Sequence, residues 1–581
     1  MKSPAYTRRL GLIAGTVMSF TGAIGMIQTF NERTLINPYL RMGDLTLYMT
    51  PFVLAWLAAR GEPNPLHEPE REPMAGAAQG AVVGLIAGAL TSVFLLVINT
   101  FDLTEFFPNM RPATIDAMTF DLGVPVGLVV LTAVSAFVGA AGGYIFGLPE
   151  HIRRGLGRAT GWVLAFALFE VVVADILSFA DIIVDVIYGP RGGLQIWSAV
   201  IIGALAWWLS ARYQGQVKEF SNRVRGADAK SRLRRSMIAL GVFAAIVLPM
   251  LLGGILNELL VNVSIFILMG LGLNIVVGYA GLLDLGYVAF FAVGAYGTAV
   301  LTSTSEAGIG LGLNWWLALP IVLVMASIAG LMVGTPVIRM RGDYLAIVTL
   351  GFGEIVRILL LSDWLTPFFG GAQGIRRIPG IPVPFIGEVS GTDPQLFIYF
   401  MLLFVGLAVY ISYRAQNSRI GRSWAAMRED EDVAEATGIS TVQAKLLAFV
   451  AGAIVASFAG ALFSAKVGTV FTNSFDVLVS IIILVLVIVG GMGSIPGVMV
   501  GALVLIGILG GPKSPGLLQE FSEFKLLIYG GLLVFMMLTR PEGLIPSVRR
   551  SRELHADELT QDAWLDKGGD FARGDGEEVA T

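Results

Sequence analysis

Long apolar segments, separated by short polar and basic ones, make up most of this chain. Uncharged runs such as Leu122 to Phe146 and Met237 to Leu256 have the length, about 18 to 25 residues, that a helix needs to cross a bilayer. The runs are apolar on every face, whereas the strands of a membrane barrel alternate apolar and polar residues over roughly 10 positions. The pattern therefore predicts an all-α, polytopic integral membrane protein.

The same pattern predicts about sixteen transmembrane helices in two groups. Six spans are expected near residues 10–30, 43–59, 76–98, 122–148, 160–183 and 196–211. Ten more are expected near 237–257, 260–278, 281–302, 314–337, 344–362, 396–413, 445–465, 475–491, 495–511 and 524–540. Each run is about as long as the hydrocarbon core is thick.

A strongly basic polar stretch from Gln214 to Arg235 divides the two groups and predicts a domain boundary. The expected order is a six-span membrane extension at 1–211, a basic cytoplasmic linker at 212–235 and a second membrane domain at 236–550. Residues 551–581 contain too few apolar side chains to offset the entropy of ordering, so we expect a disordered, acidic cytoplasmic tail.

Stretches rich in arginine and lysine recur in every second loop along the chain, and this pattern predicts its orientation. Arginine and lysine are enriched on the cytoplasmic side of membrane proteins. Arg8-Arg9, the linker and the segments 414–428 and 540–552 then lie inside, and the acidic segment from Asp102 to Asp121 lies outside. Both termini are therefore expected in the cytoplasm, although the pair Arg376-Arg377 falls on the outer side of this map.

Composition supports a membrane protein and argues against catalysis by this chain. Hydrophobic residues make up 55% of the sequence and charged residues 14%, with a mean hydropathy of +0.75. There is no cysteine, and His67, His151 and His555 are far apart, so no metal site is expected. No G-x-x-x-x-G-K-[ST] phosphate loop is present. We expect no catalytic residues, no bound cofactor and no nucleic-acid partner, but contact with membrane lipid and a small-molecule substrate.

The segment from Leu271 to Gly297 is the first candidate for a substrate path, because glycines surround a single acid. Interrupted helices in transporters expose backbone amides and carbonyls that bind polar substrates at mid-membrane. Alternatively, the glycines only let helices pack closely and the acid sits in an interfacial turn; both interpretations stay open. The candidate path residues here are Asn274, Gly278, Gly281, Asp284 and Gly286.

Two later segments supply further candidates. Glu354 and Arg357 are three residues apart in an apolar helix and so share one face. They line the path or form a self-neutralised ion pair. The glycine-rich loop that follows at 369–375 is an ordinary turn or a gating loop, with Gly371, Gln373 and Gly374 as its candidates.

The polar stretch from Arg419 to Phe449 predicts a short helix on the cytoplasmic surface, broken at Gly438. Such a helix suits the groove of a partner motor protein, or it is a solvated connection. The sequence pattern alone leaves both open.

Five blocks of this chain resemble the branched-chain amino-acid permease family of ABC importers, of the LivM type. They cover about 236–550 and read LNIVVGYAGLLDLGYVAFFAVGAYG from Leu273, RGDYLAIVTLGFGEIVRI from Arg341, REDEDVAEATGIS from Arg428, GGMGSIPGVMVGA from Gly490 and RPEGLI from Arg540. The resemblance implies a permease domain that works by alternating access in the bacterial inner membrane. Its implied partners are a sister permease, two cytoplasmic ATPase subunits that use the ATP, and an extracytoplasmic solute-binding protein.

The resemblance also implies that the segment containing Glu435 to Gly438 docks on an ATPase. The coupling-loop candidates are Arg428, Glu429, Asp430, Glu435, Ala436 and Gly438.

Two departures from the family pattern leave alternatives open. The resemblance does not cover residues 1–235, whose role it leaves unassigned. The loop Gly370 to Gly374 differs from the family's form, so an importer of urea or short-chain amides is the alternative substrate class. An ion-driven secondary amino-acid transporter is the other alternative, for which Asp175, Asp181 and Asp185 are the best candidates.

Overall fold

A computed structural model describes residues 4–60, 72–101, 103–177, 181–189, 192–223, 241, 246–305, 310–338, 340, 342–384, 387–512 and 514–547. The chain separates into two compact units, Met1–Leu240 and Gly241–Thr581. The predicted tail at 551–581 and most of the predicted linker lie outside the described residues.

The first unit is a helical bundle with a small sheet at one end. Its helices are α1 (Pro4–Ala23), α2 (Met26–Asn31), α3 (Met42–Arg60), α4 (Pro73–Phe101), α5 (Pro112–Met118), α6 (Val124–Gly147), α7 (Glu150–Leu168), α8 (Glu170–Ile176), α9 (Asp181–Ile187) and α10 (Ile196–Arg223). Strand β1 (Thr34–Asn37) pairs antiparallel with β2 (Leu40–Arg41) and parallel with β3 (Leu194–Gln195).

Glycines bring α4 and α6 into backbone contact. A Cβ added at Gly80 would lie 2.1 Å from the carbonyl oxygen of Gly139, and one added at Gly143 would lie 2.0 Å from that of Gly76. Small residues spaced four apart allow this approach and replace the hydrophobic effect as the source of helix association in lipid. The pairing of α4 with α6 therefore depends on the absence of side chains along one stripe.

The second unit contains the remaining helices. They are α11 (Gly254–Leu273), α12 (Val288–Thr302), α13 (Trp315–Val337), α14 (Asp343–Leu361), α15 (Thr366–Phe369), α16 (Pro394–Gln416), α17 (Arg419–Glu429), α18 (Glu431–Ala436), α19 (Thr441–Val467), α20 (Val477–Gly490), α21 (Ile495–Ala502) and α22 (Lys525–Thr539). Strands β4 (Ile381–Val383) and β5 (Gly387–Val389) form an antiparallel hairpin.

Helix α11 is the centre of the second unit. In its most apolar stretch 83% of the residues are buried, against 33% for α13. Its side chains, such as Leu268 and Leu271, pack in one continuous core with Phe449 on α19 and Leu486 on α20. A helix that is apolar all round and enclosed by others belongs inside a bundle, whereas α13 has an outer face suited to lipid.

The helices confirm an all-α polytopic membrane protein. In the described part of the chain, nine helices are long and apolar enough to span a bilayer. Helices α7 and α8 together are long and apolar enough for one more span but meet at a bend of 71°, as in a broken span or a re-entrant loop. Four shorter apolar helices lie at 196–209, 288–302, 495–509 and 525–539. The expected total of sixteen stays a prediction.

Candidate functional site

The central helix is interrupted where the sequence places glycines around an acid. After α11 the backbone widens into a π-helical turn over Asn274–Tyr279, and the next helix begins only at Val288. The amide of Leu282 donates to the carbonyl of Val276 at 3.0 Å, which folds the connecting loop back onto the turn. π-Turns inside α-helices occur frequently at functional sites, because they shift the direction of the side chains that follow.

Asn274 joins this interruption to a second glycine-rich loop. Its side-chain oxygen accepts a hydrogen bond of 2.8 Å from the amide of Gly493, and both groups are buried. Gly278 lies in the same place, since a Cβ there would be 2.0 Å from the Asn274 oxygen and 2.7 Å from the Gly493 nitrogen. The loops at 274–281 and 490–494, more than 200 residues apart in sequence, therefore form one junction.

Arg428 reaches this junction from the end of α17. Its guanidinium donates a hydrogen bond of 2.6 Å to the carbonyl of Gly278. Gly281 adopts a φ of +74°, and a Cβ there would lie 2.7 Å from Cγ of Arg428. The interrupted helix and the predicted coupling segment are thus in direct contact.

Asp284 is buried in the loop between the two helices. Its Oδ1 accepts a hydrogen bond of 2.9 Å from the amide of Gly286. Among the described residues, its Oδ2 has no hydrogen-bond partner. Burial of an unpartnered polar atom costs free energy unless water or a ligand reaches it.

Gly286 lies flat against α14. A Cβ there would be 1.8 Å from the carbonyl oxygen of Thr349. The Thr349 hydroxyl accepts a hydrogen bond of 3.0 Å from the amide of Leu285. The sequence singled out Gly286 as a glycine, but it did not predict that its neighbour on α14 would be Thr349.

Glu354 and Arg357 pair with one another on α14. The Arg357 Nε lies 3.0 Å from both carboxylate oxygens of Glu354. The two side chains remain 36% and 30% exposed. This pairing matches the self-neutralised alternative, and it leaves the pair at an accessible surface of the unit.

The glycine-rich loop packs against the segment that precedes α20. Gly371 and Gly374 have positive φ angles of 55° and 64°, and a Cβ at Gly374 would lie 1.9 Å from the carbonyl oxygen of Val470. The hydroxyl of Thr472 donates to the Gly371 carbonyl at 3.3 Å and shares a buried hydrogen bond of 2.9 Å with Tyr296. Gln373 is exposed between the two glycines.

The predicted coupling segment, defined here as residues 428–438, is a compact helical turn with an exposed face. The Asp430 carboxylate accepts from the amides of Asp432 and Val433 at 2.9 and 3.0 Å and so caps α18. Five of the six coupling-loop candidates are exposed: Glu429, Asp430, Glu435, Ala436 and Gly438. The sixth, Arg428, is half-buried because it turns inward to Gly278.

Two contacts fix this segment and the preceding part of α17 to the transmembrane helix α19. The indole of Trp424 donates to the carbonyl of Ala444 at 2.8 Å. Lys445, whose side chain is 2% exposed, pairs with Glu431 at 2.6 Å. The segment is therefore attached to α19 as well as to the interrupted helix.

The path candidates lie in separate places. Asn274, Gly278 and Gly281 meet at the Arg428 junction, and Gly286 lies against Thr349. Gly371 bonds to Thr472, and Gly374 lies against Val470. Sequence reasoning missed Gly493, Thr349 and a further polar cluster, in which Lys466 pairs with Glu258 at 2.6 Å. Single charged residues at the ends of apolar runs were the available signal, but partners 208 residues apart are not visible in sequence.

Comparison with known proteins gives a consistent result. The family model described as the permease component of the branched-chain amino acid transport system matches residues 255–537. The high-affinity branched-chain amino acid permease protein LivM of Escherichia coli K12 is 37% identical over 437 residues, which cover 70% of this chain and 97% of that protein. Residues 236–581 make up less than 70% of the chain, so this similarity extends into the segment that precedes residue 236.

More distant relatives match about half of the chain. A probable branched-chain amino acid permease protein LivM of Methanocaldococcus jannaschii is 27% identical, covering 48% of this chain and 84% of the relative. The permease protein LivH of E. coli K12 is 25% identical, covering 48% and 91%. No solved structure shows a significant match to this chain.

Proposed function

Because this chain belongs to the permease family of the branched-chain amino acid transport systems and is a permease subunit of an ABC importer, we propose that it carries branched-chain or related hydrophobic amino acids. The observation that carries the proposal is the 37% identity over 97% of a relative named for high-affinity branched-chain amino acid transport. The protein is a multi-pass protein of the inner membrane. We further propose that both termini are cytoplasmic, since the arginine bias supports it.

The partners proposed are a sister permease, two cytoplasmic ATPase subunits and an extracytoplasmic solute-binding protein. The relative named LivH supports the first of these, because its sequence is similar to about half of this chain. Two permeases of common origin would enclose the path between them. This chain would use no cofactor of its own, and ATP would be hydrolysed in the partner subunits.

The contacts at Arg428 support a mechanism of alternating access. ATP binding in the ATPase subunits would displace the coupling segment, 428–438. Arg428 would transmit that displacement to Gly278, and the Glu431–Lys445 pair would transmit it to α19. The π-turn at 274–279 offers a place for this change, because its wider hydrogen-bond register differs from an α-helical one by a small backbone movement.

The substrate class is tested by uptake into proteoliposomes that contain the complete importer. We expect ATP-dependent accumulation of L-leucine, L-isoleucine and L-valine, and none of urea or acetamide. Uptake of urea or acetamide instead of the amino acids would support the amide importer, which the Gly370 to Gly374 loop leaves open. Uptake of L-leucine without the ATPase subunits, driven by an ion gradient, would contradict the ABC importer.

The partners are tested by purification of the tagged chain from its native membrane in a mild detergent. Mass spectrometry is expected to identify a nucleotide-binding ATPase and a second permease. Recovery of the chain without an ATPase in several mild detergents would contradict the proposed assembly.

A further inference from the structure

A cavity of about 290 Å³ lies in the second unit, apart from the candidate residues named above. It is open on one side and is lined by side chains of α11, α12, α19 and α20 and of the loop after α21. Small-molecule sites start at about 300 Å³ and combine apolar walls with a few placed polar groups. The volume therefore suits a ligand of amino-acid size.

One end of the cavity is polar and holds both signs of charge. The ammonium of Lys466, at the end of α19, donates to Glu258 at 2.6 Å and to the side-chain oxygen of Asn262 at 2.7 Å. An ammonium has three donors, so these two bonds leave one for a further acceptor. The Lys466 side chain is 7% exposed while that of Glu258 is 43% exposed. The cationic group is thus enclosed, and the anionic group is at the mouth.

The other end of the cavity is apolar and tightly packed. Met269 from α11, Phe291 from α12 and Phe463 from α19 line it. The two phenylalanine rings lie 5.3 Å apart, and both Met269 and Phe291 are buried in the main core. Such a wall accepts an aliphatic side chain and offers no hydrogen bond to a polar one.

We propose that this cavity binds the zwitterionic head of an amino acid at Lys466, Glu258 and Asn262 and the apolar side chain of that amino acid against Met269, Phe291 and Phe463. The substrate carboxylate takes the remaining Lys466 donor, and its ammonium donates to Glu258 and the Asn262 oxygen. The proposal rests on the proposed function, and it names the part of this chain that would select the substrate.

A neutral amide fits this arrangement poorly. Urea and acetamide have no charges to exchange with the Lys466–Glu258 pair, and neither fills the apolar end. Lys466 and Glu258 lie at the ends of α19 and α11 that the charge bias assigns to the outer side. The cavity would therefore receive substrate from outside, before the junction at Arg428 opens the inner side.

The simplest alternative is that Lys466 and Glu258 only join α19 to α11. Photo-leucine distinguishes the two, since it keeps the zwitterionic head and carries a photoreactive diazirine in an aliphatic side chain. The complete importer, without nucleotide, is irradiated with millimolar photo-leucine, and the cross-linked residues are mapped by mass spectrometry. We expect label on Met269, Phe291 or Phe463, removed by excess L-leucine and unaffected by excess acetamide.

Variants of the lysine test the polar end. Lys466→Met is expected to lower the label about tenfold, because a hydrogen bond to a charged group is lost. Lys466→Arg keeps the charge and is expected to retain label. Lys445→Met is the matched control, because Lys445 is buried on the same helix and makes an ion pair of the same length outside the cavity. Its label is expected at the same residues and at wild-type yield.

Variants of the wall test selectivity. L-Phenylalanine and L-leucine are compared as competitors of photo-leucine labelling. Met269→Ala is expected to raise the effect of L-phenylalanine relative to that of L-leucine at least severalfold. Met401→Ala, equally buried on α16 but outside the cavity, is expected to leave this ratio unchanged. Label outside the cavity, or equal label in Lys466→Met and the wild type, would overturn the inference. ATP-driven L-leucine uptake by the same wild-type complex would then show that the proposed function survives. If the cavity is labelled but L-leucine is not taken up, the result would contradict the proposed function alone.

Discussion

Arg428 donates a 2.6 Å hydrogen bond to the carbonyl of Gly278, so the predicted coupling segment and the interrupted central helix share a direct contact. A charged donor strengthens such a bond, and Gly281 provides the space for the arginine stem. The contact links a surface suited to a motor subunit with the place where the membrane helix changes its hydrogen-bond register.

Replacement of Arg428 is expected to separate ATP hydrolysis from transport. Arg428→Met removes the bond to Gly278 while it leaves the exposed face of the coupling segment in place. We expect leucine uptake to fall about tenfold, in line with about 1.5 kcal/mol for a hydrogen bond to a charged group. Vanadate-sensitive ATPase activity of the complex should persist. Arg422→Met on the same helix is the control, since Arg422 is exposed and its guanidinium donates to the nearby Asn417 carbonyl at 3.4 Å.

Charge reversal at Glu435 is expected to weaken ATPase binding. Glu435 is exposed on the coupling segment, so Glu435→Arg should leave the folded permease intact. The measurement is the amount of ATPase recovered with the tagged chain, and a loss of most of it is expected. Glu105→Arg, an exposed glutamate of the first unit, serves as the control. Equal ATPase recovery in both variants would show that this face does not dock.

Gly286→Ala is expected to destabilise the second unit. The added methyl group would lie 1.8 Å from the Thr349 carbonyl, where backbone must shift, and such overpacking costs about 1–3 kcal/mol. Gly351→Ala provides the control on α14, because a Cβ there meets nothing within 4 Å. Alanine favours the helix, so this control should be neutral or stabilising. Thermal melting in detergent measures both, and an unchanged melting temperature for Gly286→Ala would contradict the close contact.

Removal of the Glu431 carboxylate is expected to leave a buried charge without its partner. Glu431→Gln should destabilise the protein by about 2 kcal/mol, less than for a fully enclosed pair because Glu431 is partly exposed. The double variant with Lys445→Met should recover part of this loss, since the buried ammonium is also removed. A double-mutant cycle on melting measures the coupling. Additive effects would indicate that the pair contributes nothing to stability.

The sequence predicted the helical membrane fold because length and hydrophobicity are local properties of a run of residues. It also singled out the place where the central helix is interrupted, since the glycines and Asp284 stand out against an apolar background. What it could not predict were the partners. Asn274 meets Gly493 across 219 residues, and Lys466 meets Glu258 across 208. Such pairs follow from how helices pack, which apolar periodicity does not specify when a helix is buried on every side.

Some helix bounds also differed for a local reason. A span was expected over 281–302, yet its helix begins at Val288. Gly281 takes a left-handed conformation, and the amide of Gly286 donates to the Asp284 carboxylate, so these residues form a loop. The span expected at 160–183 is bent by 71° beside Phe169, where the helix ends and restarts. Mean hydropathy is taken over a whole run of residues and therefore does not show such breaks.

The glycine stripe between α4 and α6 makes the first unit sensitive to a kind of change other than substitution. Each residue of an α-helix advances the side-chain direction by 100°. One residue inserted between Gly80 and Gly84 would rotate every later position away from its partner, so that Gly84 would no longer face Ser135. Hydrophobicity and length would hardly change, yet bulky side chains would replace the stripe. In this bundle the pairing of the helices thus depends on the spacing between residues as much as on their identity.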